Sequence, residues 1–103
     1  MNRLEQLFEF LKEDPNDPFT LYAIATEYMK TDLPEAKKYY EKLLTEHPDY
    51  VATYYHAAKL YEEMHETDKA IETYKKGIEL ARSKNESLAL RELNNAYQEL
   101  ILE

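Results

Sequence analysis

The chain of 103 residues has no cysteine, no tryptophan and a single glycine, Gly77. Without cysteine there are no disulfides, thiolate metal ligands or thiol nucleophiles, although this alone does not fix a compartment. One glycine cannot build a phosphate-cradling loop, and with only four prolines the chain is not loop-rich or disordered. No apolar run is long enough to cross a membrane. The opening Met1-Asn2-Arg3-Leu4-Glu5, with Glu9 and Glu13 after it, lacks the apolar stretch of a secretory signal, so a soluble cytoplasmic protein is expected. Positive charge is also scarce. Thirteen Lys and Arg stand against 21 Asp and Glu, and the formal charge of −8 repels nucleic-acid backbones and anionic membranes alike.

What is abundant is tyrosine, ten in all, and much of it is periodic. Leu21, Ile24, Ala25, Tyr28, Ala36, Tyr40 and Pro48 are followed by Tyr54, Ala57, Ala58, Tyr61, Ala70, Tyr74 and Arg82. Leu21 to Tyr54 and Tyr28 to Tyr61 are 33 positions apart, whereas Ala36 to Ala70 and Tyr40 to Tyr74 are 34 apart. The turn inside the first copy is therefore one residue shorter. A period of this length, with small residues at fixed places between large ones, marks a repeat of paired helices sharing a core. Ala25 and Ala58 let paired helices approach closely, and Gly77 is expected at a close crossing, since glycine costs roughly 1 kcal/mol of helix propensity relative to alanine.

These residues resemble the tetratricopeptide repeat, whose pattern runs large-x2-Leu-small-x2-Tyr, then Ala-x3-aromatic, then Pro. The resemblance implies an all-α stack of helical hairpins in a right-handed superhelix, acting as a protein-binding adaptor and not as an enzyme. Following the spacing outward gives one domain in four parts. Residues 1–16 carry a helix with Leu4, Leu7, Phe8 and Leu11, stopped at Pro15, which lies 33 positions before Pro48. Residues 17–50 form the first repeat, opened by Asp17 as N-cap with Pro18 behind it. Residues 51–84 form the second. Residues 85–103 form a closing helix in which Leu90, Leu93 and Tyr97 repeat the first-helix pattern and Asn94 replaces the small residue. Six helices are expected, with a worn half-copy capping each end.

Candidate chemistry is thin. Glu62-x-x-His65 has the spacing of half a di-iron carboxylate site, but no second such pair exists, and two surface residues near a helix end are the plainer reading. His56 and His65, nine residues apart on one expected helix, would lie roughly 13 Å apart along its axis on opposite faces and cannot share an ion. His47 is expected to meet the carbonyls of a helix end. Asn85-Glu86-Ser87 is an accidental glycosylation acceptor without a secretory signal. No nucleophile with a base, no metal and no cofactor is expected.

Of the tyrosines, Tyr28, Tyr40, Tyr54, Tyr61, Tyr74 and Tyr97 sit at repeat positions and are expected in the core, with hydroxyls reaching an edge. Tyr22, Tyr39, Tyr50 and Tyr55 lie off the pattern and are free to face solvent or a partner. The resemblance implies a groove lined by the first helix of each pair. Carried onto this chain, that face is Phe19, Tyr22, Thr26, Met29 and Lys30, then Tyr55, Lys59, Glu62 and Glu63, continued by Arg91 and Asn95. Lys30, Lys59 and Arg91 beside aromatic rings suggest a protein or peptide partner with apolar anchors and some acidic character. The lysine and asparagine pattern by which one subfamily holds a chaperone's C-terminal carboxylate is absent: Tyr22, Thr26, His56 and Glu92 stand in its places. Self-association as a homodimer through Leu100, Ile101 and Leu102 is the alternative, since three consecutive apolar residues cannot all face one core.

Overall fold

The computed structural model describes all of residues 1–103. It contains six helices and no strand: α1 (Arg3–Glu13), α2 (Pro18–Tyr28), α3 (Leu33–Glu46), α4 (Ala52–Glu63), α5 (Thr67–Ser83) and α6 (Ser87–Ile101). The helices gather into two compact units, Met1–Tyr50 with α1 to α3 and Val51–Glu103 with α4 to α6.

In the first unit every helix start is written in the sequence. Asn2, Asp17 and Asp32 each accept a hydrogen bond from the backbone N–H three residues on, at 2.9, 3.1 and 3.2 Å. These bonds satisfy amides that have no partner within the helix. Asp17 also accepts from the Thr20 hydroxyl at 2.6 Å, and this bond, more than the backbone contacts, holds its carboxyl below the usual range. The α2 and α3 helices pack through Leu21, Ile24 and Ala25 on one side and Ala36, Tyr40 and Leu43 on the other, all fully buried. Meanwhile α1 lies against α2 with Leu7 buried, and Phe8 joins Tyr28 and Tyr39 in a three-ring cluster with centroids 6.0 to 6.5 Å apart.

That cluster corrects one expectation. Tyr39 does not face solvent freely: it stacks on Tyr28 at an interplanar angle of 17°. Tyr50 packs too, edge-on to Tyr22 with centroids 5.9 Å apart. A helix face that is off the pair's own interface can still be covered by a third helix or a turn, which a periodicity read one hairpin at a time does not register.

The second unit repeats the pairing and adds α6. Buried Ala57, Ala58, Leu60 and Tyr61 of α4 pack against α5, which contributes Ala70, Tyr74, Ile78 and Ala81, while Leu93 and Ala96 of α6 complete the core. Gly77 sits where all three helices meet. A Cβ placed there would lie 2.6 Å from Tyr54 Cβ and 3.2 Å from Leu93 Cδ1, which is the close crossing that its presence in a helix implies.

The extra residue of the second repeat has a definite place. His65 takes a left-handed φ of 60°; its N–H reaches the Glu62 carbonyl, and the following Glu66 N–H reaches that of Tyr61. This is a Schellman ending. His65 therefore lies beyond the end of α4 and not on the helix where the sequence put it. Asn85 ends α5 in the same way at φ 57°. The first repeat, one residue shorter, closes its turn with no left-handed residue, both Thr31 and Asp32 donating to the Tyr28 carbonyl.

One cap is lost between the copies. Tyr50 stands 33 positions after Asp17, so α4 begins without a side-chain cap, and the fully buried Thr53 hydroxyl, the counterpart of Thr20, has no hydrogen-bond partner. His47, at the end of α3, likewise departs from expectation. Its backbone N–H closes on Leu43, but its side-chain Nε2 is shut off from solvent without a bond to any carbonyl.

Candidate functional site

The exposed faces of the first helices differ in chemistry between the two units. In the first, Phe19 is 61% exposed at the start of α2, and Tyr22 one turn later is half-buried against Tyr50. Thr26 Oγ1 donates to the Tyr22 carbonyl at 2.9 Å and lies 3.1 Å from the Tyr40 hydroxyl, which must then be the donor between the two. Burial, more than the Thr26 contact relieves, pushes the Tyr40 phenol up to about 12. Met29 is half-buried at the end of α2, and exposed Lys30 turns to Glu27 at 3.2 Å. Apart from that ion pair the face is uncharged, with Phe19 and Tyr22 its aromatic members.

In the second unit the equivalent positions carry charge. Tyr74, fully buried and 34 positions after Tyr40, donates its hydroxyl to Glu62, and burial with this carboxylate beside it drives the phenol far above its ordinary range. Glu62 in turn holds Lys59 at 3.8 Å. The Lys59 ammonium also lies 5.7 Å from the centre of the half-buried Tyr55 ring, whose neighbour His56 meets it edge-on at 5.3 Å. Burial keeps His56 below the ordinary imidazole range, partly offset by Glu92. Glu62 thus serves the inside of the unit, while Glu63 is exposed.

Between α4 and α6 these side chains border a cleft of about 220 Å³ lined by Tyr55, Lys59, Glu92, Asn95, Ala96 and Glu99. Of the residues expected from sequence, Tyr55, Lys59 and Asn95 come together here. Arg91 is exposed on α6 outside the lining. Glu99 and Ala96 were missed. Glu99 was within reach of the spacing, since it falls one helical turn after Asn95, which itself falls one turn after Arg91.

The model of a tetratricopeptide repeat matches residues 27–93, well over half of the chain. The chain belongs to the tetratricopeptide repeat family. A tetratricopeptide repeat domain protein from Salinibacter ruber, in its solution structure, is 48% identical over 84% of this chain and 89% of its own, with a TM-score of 0.80. The crystal structure of the same domain gives 46% identity, covering 84% of this chain and all of that one, again with a TM-score of 0.80. The TPR2B domain of yeast Sti1, in its complex with pHsp70, superposes with a TM-score of 0.87 over 96% of this chain and 80% of its own, at 22% identity. None of the curated proteins matches the chain. Within the units, α1 packs on α2, and α6 packs on α5 and α4.

Proposed function

We propose that the chain is a protein-interaction module that takes a peptide or partner segment on the exposed first-helix faces, with the α4–α6 cleft as its principal contact in the second unit. The cleft carries this reading: Tyr55 offers rigid amphipathic contact area at its edge, and Asn95 offers an exposed amide. Membership of a repeat family built for protein contacts supports it, as does the complexed state of the Sti1 relative. In the first unit Phe19 and Tyr22 give the corresponding surface. No nucleic acid or membrane partner is proposed, given the charge of −8.

The test is capture of partners from the native cell on wild-type protein and on the Phe19→Ala/Tyr55→Ala variant. Phe19 is largely exposed and Tyr55 half-buried, so helicity should persist while specific partners are lost. Equal recovery on both proteins refutes the reading. A homodimer through α6 is favoured only by the exposure of Leu88, Ile101 and Leu102. At 100° per residue Leu88 and Ile101 point roughly 140° apart, so they form no continuous apolar stripe. A dimer in sedimentation that disappears when residues 101–103 are removed would reinstate it.

A further inference from the structure

We infer that the α4–α6 cleft selects a basic partner segment, a polyproline II stretch carrying two arginine or lysine side chains three positions apart; this rests on the cleft being the partner site. One lysine and two glutamates line it. The lysine is already committed, held by Glu62 at 3.8 Å and lying over the Tyr55 ring. Glu92 and Glu99 form no ion pair with any side chain, so the charge left for a ligand to meet is negative. The acidic ligand that Lys59 and Arg91 suggested in the sequence would have to displace Glu62 from Lys59 and then face two carboxylates.

Spacing sets the register. Glu92 and Glu99 are seven residues apart on α6, close to two full turns, so they share a face roughly 10.5 Å apart along the axis. Ala96 and Asn95 lie between them, leaving a small side chain and an amide donor in the middle of the cleft. A peptide in the polyproline II conformation advances about 3.1 Å per residue with three residues per turn, so side chains three positions apart lie on one face, span roughly 9 Å and match the two carboxylates. Lys59 already covers the Tyr55 ring, so arginine is favoured over lysine by the fork with which a guanidinium meets a carboxylate. The net charge of −8 draws such a segment in before contact is made.

The probes are three short synthetic peptides of equal length, with two arginines three positions apart, with two glutamates there, or with two alanines. Binding is followed by backbone amide shifts of the isotope-labelled full chain. The arginine peptide should move amides around Tyr55, Asn95 and Glu99, and should weaken as salt is raised past the level where charges are screened beyond about 8 Å. Glu92→Gln/Glu99→Gln, both at exposed positions, should weaken it roughly tenfold with the spectrum otherwise unchanged. An arginine peptide that binds the double variant as tightly as wild type overturns the inference, as does a glutamate or alanine peptide that binds the cleft equally well. Those results leave the partner-site reading standing if the Phe19→Ala/Tyr55→Ala variant still loses its captured partners; if it does not, that reading falls as well.

Discussion

Replacing Gly77 with alanine tests the close crossing of α4, α5 and α6, because two effects of known size oppose each other there. Helix propensity favours the change by roughly 1 kcal/mol. Against it, the new methyl would lie 2.6 Å from Tyr54 Cβ, 3.1 Å from Tyr54 Cγ and 3.2 Å from Leu93 Cδ1, where carbon pairs prefer about 3.5 to 4.0 Å. Leu93 Cδ1 can swing away, but Tyr54 Cβ is tied to the α4 backbone, so the helices themselves must part by about 1 Å. Overpacking of this kind costs typically 1 to 3 kcal/mol, and the backbone shift places this case at the upper end. The net expectation is a loss of about 2 kcal/mol, or a fall in Tm of roughly 10 °C for a chain of this length. Thermal and urea unfolding followed by circular dichroism would measure it, with Lys75→Ala on the exposed side of α5 as the control for propensity. If Gly77→Ala is as stable as wild type, propensity has won and the three helices are not in contact as described.

Thr53→Val should raise stability by about 1 kcal/mol in the same assay, since it replaces a buried hydroxyl that has no partner with a methyl of the same shape; the same change at Thr20, whose hydroxyl bonds Asp17, should lower it. In alkali Tyr22, Tyr28, Tyr39 and Tyr50, which burial raises, should ionise above the ordinary 10, and Tyr40, raised to about 12, and Tyr74, raised further, should ionise last. The sign follows from linkage: a phenol whose folded value is raised adds stability that is fully present below about 10 and is lost as pH climbs through the folded value. Absorbance of phenolate at 295 nm should therefore keep rising well above pH 10, its last part coinciding with loss of helicity, and a rise complete near 10 with the helices intact would contradict the burial.

Much of the fold was legible because helical hairpins are local. The 33- and 34-residue spacings, the Asp17 and Asp32 caps and the small residues at Ala25, Ala58 and Gly77 all encode contacts within one repeat or with the next helix. Details that depend on turn geometry were not legible. Nothing in the residue type of His65 announces a left-handed backbone, which glycine or asparagine would adopt more readily. Tyr39 escaped for a different reason: its partners Phe8 and Tyr28 come from two other helices, and only their packing brings the rings together. The candidate site was read less well than the fold. Helical spacing gave the face that carries Tyr55, Lys59 and Asn95, yet it could not say which of the polar residues on that face are consumed internally.

That last point turns on one requirement common to both units. A tyrosine at position 40 or 74 fills the space between paired helices, and its hydroxyl must find an acceptor because it is cut off from water. Position 26 supplies a neutral one, Thr26, which needs no charge to balance it. In the second unit Lys59 occupies the equivalent place and cannot accept a hydrogen bond, so the acceptor is Glu62, one turn on, where the first unit has Met29. A half-buried carboxylate then calls for a cation, and Lys59 provides it at 3.8 Å. Lys59 and Glu62 are thus accounted for by the packing of Tyr74 before any partner is considered. The charges left over in the cleft are those of Glu92 and Glu99 on α6, which are held in no ion pair, and on the reading proposed above it is their sign that a partner has to complement.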